Sequence, residues 1–125
     1  MKKQTAAIRI YTDGRGPSPD GHLPAFAWLR EDGSGQSIRE QKGITSNQAE
    51  YLAILAAIEA VPAGVQLEIL TDSLLAKAQI NGEYRIRDMK LAKLVGQIKT
   101  VAHKRRIALK VFWVSRKNNP AGRLL

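Results

Sequence analysis

Short runs of alternating or continuously apolar residues, with one more polar run, predict five strands in this chain. In the first run, Ile8, Ile10 and Thr12 alternate with Arg9 and Tyr11. Strict alternation between turn residues is typical of a strand that buries one face. The predicted strands cover residues 8–13, 25–29, 37–42, 65–72 and 107–113.

Helices are predicted between the later strands. Thr45 and Gln48 match a capping box, so a helix is expected to begin at Thr45 and to run to residue 58. It is apolar on nearly every side, which indicates a buried helix. A short helix over 73–80 and a longer one over 86–103 follow, and Pro120 is well placed to open a final helix that is cut short at Leu125.

The order of these elements, βββαβααβ with a truncated last helix, predicts an α/β fold. The first three strands follow one another through turns, so we expect an antiparallel meander. The later strands are joined through helices, so the five-stranded sheet should be mixed, with helices on its faces. A chain of 125 residues has room for one ordinary core, and 1–125 is expected to be a single domain.

Charge and composition indicate which class of molecule the chain is expected to bind. The chain has 20 Lys and Arg residues against 11 Asp and Glu, a formal net charge of +9. This balance favours nucleic acid, with a merely soluble basic protein as the alternative. The absence of Cys excludes disulfides and thiolate metal sites and favours a cytoplasmic location. No apolar run has the length of a signal peptide or a membrane span, so no membrane association is expected.

Three acidic residues are placed where they can share divalent metal ions. Asp13 and Asp72 end predicted strands, and Glu50 lies on the first turns of the helix between them. Active sites of open α/β sheets lie at the carboxyl ends of strands, and carboxylates suit Mg²⁺. Each residue also has a local alternative: a turn before Gly for Asp13, a helix-dipole contact for Glu50, and the N-cap of the next helix for Asp72.

Four segments, in order along nearly the whole chain, resemble the motifs of type 1 ribonuclease H: Tyr11-Thr12-Asp13-Gly14, Thr45-Ser46-Asn47-Gln48-Ala49-Glu50, Thr71-Asp72-Ser73 and Trp113-Val114-Ser115-Arg116. The resemblance implies an RNase H-like fold and an endonuclease that hydrolyses the RNA strand of RNA–DNA hybrids. It also implies two Mg²⁺ ions, with Mn²⁺ as a substitute, held by four carboxylates. Asp13, Glu50 and Asp72 match three of these and take the catalytic and metal-binding roles.

The fourth carboxylate of that pattern is missing. Gly122 stands where the family has an aspartate, and the loop before it looks one residue short. Because amide oxygens can bind hard cations, Asn119, in preference to Asn118, is the candidate replacement ligand. The alternative is that both are turn and capping residues before Pro120. The loss predicts slower turnover or a preference for Mn²⁺ rather than complete inactivity.

Substrate contacts are predicted around the same motifs. Asn47 and Gln48, beside Glu50, carry groups suited to a minor groove and its 2′-hydroxyls, with capping as the alternative for Gln48. Gly14 and Arg15 are placed to approach a phosphate or to form a plain turn. The expected partner is an RNA–DNA hybrid, with double-stranded RNA left open as a second substrate, and no obligate protein partner is indicated.

Two other functions fit parts of the pattern. The missing aspartate favours a catalytically impaired RNase H-like domain that only binds nucleic acid, whereas the three remaining carboxylates favour an enzyme. Another enzyme of the superfamily, such as an exonuclease or an integrase-like strand-transfer enzyme, is disfavoured by its different motif spacing.

Overall fold

Five strands form one mixed sheet in the order β3-β2-β1-β4-β5. The structure, a computed structural model, describes residues 6–125; the N-terminal residues 1–5, on which the expectation of no signal peptide partly rests, lie outside the described residues. Strand β1 pairs antiparallel with β2 and parallel with β4, which confirms the predicted meander and mixed sheet. The elements are β1 (Ile8–Arg15), β2 (Ala25–Arg30), β3 (Gln36–Glu40), α1 (Ser46–Glu59), β4 (Gln66–Thr71), α2 (Leu74–Ile80), α3 (Met89–Lys104) and β5 (Ala108–Trp113).

The main core lies between one face of the sheet and the helices. Ile10 of β1 and Ile69 of β4 are wholly buried against Ile54 and Ile58 of α1 and Ile98 of α3. The alternation along β1 and the helical spacing along α3 bring these side chains to one layer. The core therefore fixes α1 against the central strands, and with it every residue that α1 carries.

The start of α1 is set by the capping box that the sequence predicts. The N–H of Gln48 donates to Oγ1 of Thr45 at 3.1 Å, and the N–H of Thr45 donates to Oε1 of Gln48 at 2.9 Å. The two side chains satisfy donors that the first helical turn would otherwise leave unpaired. The cap places Glu50 on the side of α1 that meets the sheet, where it is 8% exposed.

Several element boundaries differ from the predictions by one or more residues, and two of these differences have identifiable reasons. Strand β1 continues beyond Asp13 to Arg15, because Asp13 and Gly14 pair with β2 instead of forming a turn. Helix α3 begins at Met89 rather than at residue 86, because the Asp88 side chain accepts the N–H groups of Lys90 and Leu91, at 2.8 and 3.1 Å, and caps the helix there.

The predicted final helix consists of two short 3₁₀ helices, Arg116–Asn118 and Pro120–Leu124. The second packs on β1 and β2, on the face of the sheet away from α1. Within residues 6–125, no helix has the length and apolar character needed to cross a membrane.

Candidate metal site

Asp13, Glu50 and Asp72 converge at the carboxyl ends of β1 and β4. One carboxylate oxygen from each lies within 4.8 Å of the other two. Thr12 pairs with Thr71 across the parallel strands, so the residues that follow, Asp13 and Asp72, project at the same edge. This spacing lets the three carboxylates share divalent cations. The structure thus brings together the residues that the sequence singled out, and their catalytic roles stay predictions.

Gly14 fixes the position of Glu50 relative to Asp13. Its N–H lies between the two carboxylates, donating to Oε1 of Glu50 and, at 2.9 Å, to Oδ1 of Asp13. A Cβ at residue 14 would lie 2.5 Å from the backbone nitrogen of Glu50 and 2.7 Å from the carbonyl oxygen of Ala49. Only glycine therefore lets α1 approach β1 this closely. The observed contacts give Gly14 a packing role rather than the turn of the alternative reading.

Burial opposes ionisation of the metal-free cluster. Burial, with the hydrogen bond and negative charge of Asp13, raises the pKa of Glu50 to about 10. Burial also raises the pKa of Asp13, while its hydrogen bonds with Glu50 and with the Gly14 N–H act in the opposite direction. Glu50 therefore holds a proton that it shares with Asp13 when no cation is bound. A divalent cation would take over the role of that proton.

The donor set fits a hard divalent cation. Oδ2 of Asp72 is buried and accepts no hydrogen bond from the described residues. Nε of Arg116 lies 4.0 Å from it, too far for a hydrogen bond. A buried carboxylate oxygen without a partner is unfavourable, and a cation shared with Asp13 and Glu50 would satisfy it. Carboxylate oxygens without imidazole or thiolate ligands suit Mg²⁺ or Mn²⁺.

The hydrogen bonds around Asp72 also decide whether this residue caps α2. Ser73, not Asp72, caps α2, since the Ser73 hydroxyl accepts the N–H of Ala76 at 3.1 Å. The indole N–H of Trp113 donates to the carbonyl oxygen of Asp72 at 3.3 Å and connects it to β5. The capping interpretation of Asp72 is therefore wrong, and its carboxylate stays available to the cluster.

Asn119 is engaged within the fold. Its side-chain N–H donates to the carbonyl oxygen of Thr12 at 2.9 Å, and its Oδ1 accepts the N–H of Ala121 at 3.2 Å. The residue is 4% exposed and caps the 3₁₀ helix Pro120–Leu124. This geometry favours the capping alternative over metal ligation, because the amide oxygen already accepts a backbone N–H. Asn118, the second candidate ligand, is exposed.

Gly122 lies directly beside the carboxylates. A Cβ at this position would lie 2.8 Å from Oδ2 of Asp13. A side chain introduced at residue 122 would therefore meet the carboxylate cluster. As glycine, it brings no side-chain ligand to the groove that it lines.

Basic residues line the open groove that contains the carboxylates. Arg116, Lys117 and Arg123 contribute to its walls, and all three residues are exposed. In the sequence, Arg116 is recognisable only as part of a motif, and the places of Lys117 and Arg123 in the groove were not predicted. Their closeness in sequence to the fourth motif, which ends at Arg116, was the available signal. Cations around an acidic centre suit a substrate whose backbone carries phosphates.

Some of the residues predicted to contact substrate line the groove, whereas others form hydrogen bonds within the fold. Asn47 lines the groove, whereas Gln48 lies outside it, in the capping box. Arg15 lines the groove but donates to the carbonyl oxygens of Leu23, at 3.2 Å, and Leu125. Among the predicted substrate residues that line the groove, Asn47 is therefore the one for which the described residues show no structural hydrogen bond.

Solved ribonuclease structures match nearly the whole described chain. LC11-RNase H1, isolated from compost by a metagenomic approach, has a TM-score of 0.81 and 25% identity, covering 94% of this chain and 91% of that chain. The structure of LC11-RNase H1 in complex with RNA/DNA hybrid has a TM-score of 0.78 and 27% identity, covering 94% and 92%. RNase H1 from the halophilic archaeon Halobacterium salinarum has a TM-score of 0.79 and 23% identity, covering 93% and 91%.

Sequence comparison assigns the family. No curated protein matches the chain. The model of the family described as reverse transcriptase-like matches residues 28–125, which include Glu50, Asp72 and the segment around Gly122. Together with the fold, this match shows that the chain belongs to the reverse transcriptase-like family and is a type 1 RNase H-like protein.

Proposed function

We propose that this protein is an endonuclease that hydrolyses the RNA strand of RNA–DNA hybrids by two-metal-ion catalysis. The observation that carries the proposal is the convergence of Asp13, Glu50 and Asp72 within 4.8 Å in an open groove. The likeness to LC11-RNase H1, whose structure contains an RNA/DNA hybrid, supports this substrate class.

The three carboxylates would together bind two ions. Each of Asp13, Glu50 and Asp72 lies close enough to the other two for the three together to hold the ions. Glu50 must first release its proton, and the Gly14 N–H then keeps its carboxylate oriented. When bound, Mg²⁺ would supply an activated water and stabilise the leaving 3′ oxygen of the cleaved phosphodiester.

The groove walls would hold the nucleic acid. Arg116, Lys117 and Arg123 present exposed cations beside the carboxylates, and the chain carries a net charge of +9. These groups suit contacts to phosphates, which position a substrate without reading its sequence. Asn47 also lines the groove, and its amide carries a donor and an acceptor suited to a 2′-hydroxyl, the group that distinguishes the RNA strand.

A cleavage assay tests the proposal. The full chain is incubated with an end-labelled RNA–DNA hybrid in Mg²⁺ or Mn²⁺, beside single-stranded RNA, double-stranded RNA and duplex DNA of the same sequence. We expect internal cuts in the RNA strand of the hybrid, which Asp13→Asn abolishes. Failure to cut the hybrid above the level of Asp13→Asn in either metal would overturn the proposal.

A second candidate is an RNase H-like domain that binds nucleic acid without cleaving it efficiently. The observation in its favour is Gly122, which lies beside Asp13 and offers no fourth ligand. Under this alternative, the hybrid binds in a salt-dependent manner but stays intact in both metals. The same assay, combined with a binding titration, therefore separates the two functions.

A further inference from the structure

The positive charge of the chain lies in the residues from α3 onward. Residues 89–125 contain half of the 20 Lys and Arg residues but no Asp or Glu, so they account for the whole net charge of +9. Arg116, Lys117 and Arg123 of this segment line the groove. The remaining basic residues lie outside the groove, on α3, in the turn after α3 and on β5. The groove therefore uses only part of this charge.

Helix α3 places its exposed residues on one side and buries the other side in the core. After Met89, every exposed residue of the helix is polar or glycine, and half of these residues are lysines. Lys93 and Lys104 lie about 16 Å apart along the helix axis, with Lys99 between them. The exposed side of α3 is thus a row of cations that no apolar side chain interrupts.

These lysines differ from basic residues that other elements carry. Nη1 of Arg9 lies 3.0 Å from Oε2 of Glu31, and Nζ of Lys77 lies 2.7 Å from Oε1 of Glu83. In the part of the chain that the structure describes, no lysine of α3 lies within 4.0 Å of a carboxylate oxygen. The lysines therefore create a positive potential on the exposed side of α3.

The turn after α3 adds a further cation at a conformational cost. The N–H of Ile107 donates to the carbonyl oxygen of Ala102 at 2.9 Å, and this hydrogen bond closes the helix end. In helix ends of this type, the residue after the C-cap is left-handed and is usually glycine. Arg106 has this place, with a φ of 54°, and it is the only residue other than glycine with a positive φ among those described. Its exposed side chain stands where glycine would be more stable.

We propose that the exposed side of α3 and the turn at Arg106 form a second phosphate-binding surface, which binds the backbone of a nucleic-acid duplex outside the groove. Charge complementarity supports this occupant, because a duplex carries one negative charge per about 1.7 Å of its axis. The lysines spaced along α3 can then meet several phosphates at once. Gln97 and Thr100, exposed between them, are also residues that contact phosphates. A membrane fits less well, because the surface has no apolar side chain to insert beyond Met89.

The Arg106 end of this surface lies at the opposite edge of the sheet from the carboxylates. The N–H of Gly64, just before β4, donates to the carbonyl oxygen of Arg105 at 2.9 Å. Strand β4 runs from there to Asp72. A duplex bound on the exposed side of α3 therefore leaves the groove open. The segment Pro120–Leu124 packs on the other face of the sheet, so the exposure of α3 does not depend on it.

Binding measured in EDTA tests this surface without any cleavage. The partner is a fluorescent DNA duplex several turns long, and its affinity for the full chain is followed by anisotropy at several salt concentrations. Lys99→Gln combined with Lys104→Gln should weaken binding by about tenfold and lower the slope of log K against log salt by about two, since each phosphate contact contributes roughly 0.9. A lack of nuclease activity in the cleavage assay would leave this measurement unaffected, so the two proposals fail separately.

Arg39→Gln is the matched control for Lys104→Gln. It removes the same charge from an exposed residue of β3, at the opposite edge of the sheet from β5, and should change the affinity less. Equal losses in the two variants would overturn the proposal, because only the net charge would then matter. Anionic vesicles serve as a second partner, and binding to them that is tighter than to the duplex and depends on the same lysines would overturn it in favour of a membrane.

Arg106→Gly separates the role of the side chain from the stability of the fold. The substitution relieves the left-handed conformation, so the variant should melt at a higher temperature than the unchanged chain and still bind the duplex more weakly. Far-UV circular dichroism confirms that each variant is folded. Unchanged duplex affinity in both Arg106→Gly and the double lysine variant would overturn the proposal.

Discussion

Gly122 lies beside the Asp13 carboxylate, so close that a Cβ at residue 122 would be 2.8 Å from Oδ2 of Asp13. The contact is held in place by Asn119, which joins this segment to Thr12 of β1. A side chain introduced at 122 would therefore enter the carboxylate cluster instead of pointing into solvent. This makes the position a sensitive probe of the metal site.

Gly122→Asp should raise Mg²⁺-dependent cleavage. The new carboxylate would add a ligand beside Asp13 and lower the Mg²⁺ concentration for half-maximal rate by roughly tenfold, the factor given by about 1.4 kcal/mol of binding free energy. In EDTA the variant should melt at a lower temperature, because it adds a like charge and a tight contact at Asp13. Initial rates across a Mg²⁺ titration, with melting curves in EDTA, measure both effects.

Gly122→Asn and Gly122→Ala separate charge from size in that experiment. Asn has the shape of Asp without its charge, so Gly122→Asn should change the Mg²⁺ concentration for half-maximal rate less than Gly122→Asp does. Gly122→Ala should show only the effect of the steric contact. Asn118→Ala and Asn119→Ala belong in the same series. Unchanged Mg²⁺ titrations for Gly122→Asp, Asn118→Ala and Asn119→Ala would show that this loop takes no part in metal binding.

Asp13→Asn should abolish hybrid cleavage and leave hybrid binding largely intact. The amide cannot bridge two cations as a carboxylate does, whereas affinity for the hybrid comes mainly from basic groups and falls steeply with salt. Cleavage rates and fluorescence anisotropy at several salt concentrations test this. Cleavage at the rate of the unchanged chain would remove Asp13 from the mechanism.

The metal-free protein should lose stability as pH rises from about 4.5 to about 10. The pKa of Glu50 is raised from its ordinary value, 4.5, to about 10 on folding, so between these values the folded state keeps a proton that the unfolded chain releases. The stabilisation is complete below the unfolded pKa and decreases by up to about 1.4 kcal/mol per pH unit above it. Urea unfolding in EDTA from pH 5 to pH 9 measures the slope.

Glu50→Gln is the control for this pH dependence. It keeps the shape of the side chain and removes its titration, so the slope should flatten. Mg²⁺ should reverse the trend for the unchanged chain, because binding displaces the proton and becomes stronger at higher pH. An equally steep slope in Glu50→Gln would assign the effect to another group.

Gly14→Ala should destabilise the fold and reduce cleavage together. The added Cβ would meet the backbone of Ala49 and Glu50, and separating α1 from β1 should cost about 1–3 kcal/mol, as in other overpacked cores. Gly96→Ala is the matched control: no atom lies within 4 Å of its Cβ position, and Ala favours the α3 helix by about 0.5–1 kcal/mol. Chemical unfolding of both variants should give opposite signs; equal signs would contradict the close-approach argument.

Asn119→Ala should cost about 1–2 kcal/mol of stability, because it removes a helix cap and leaves the buried carbonyl of Thr12 without its donor. Asn118→Ala, at an exposed neighbouring position, should change stability by less than about 0.5 kcal/mol. Thermal unfolding compares the pair directly. Equal melting temperatures would remove Asn119 from the anchoring role assigned to it.

Local sequence signals predicted the elements and the carboxylates they carry. Alternation along β1 and the Thr45–Gln48 capping box report interactions between near neighbours, and the structure contains both. The mixed sheet followed because turns join the first three strands, whereas helices come before β4 and β5. The same rules placed Asp13 and Asp72 at one edge, where the structure has them.

Contacts between distant segments could not be predicted in this way. The hydrogen bond from Gly14 to Glu50 spans 36 positions, and a glycine before a turn-rich segment gives no sign that a helix will pack on it. The residues after Asp13 favour a turn, but Asp13 and Gly14 pair with β2 instead. The hydrogen bonds between the two strands satisfy the backbone N–H and C=O groups of this segment. The burial of Asn119 likewise depends on which carbonyl lies opposite, and this is fixed only by the tertiary fold.

The link between Asn119 and Thr12 has a consequence for the order of folding. The two residues are 107 positions apart, and contacts of such separation form late because closing the intervening chain costs entropy. The segment that brings Gly122 beside Asp13 would then dock after β1 and β4 have paired. A contact that forms after the folding barrier affects mainly the unfolding rate, so Asn119→Ala should speed unfolding far more than it slows refolding.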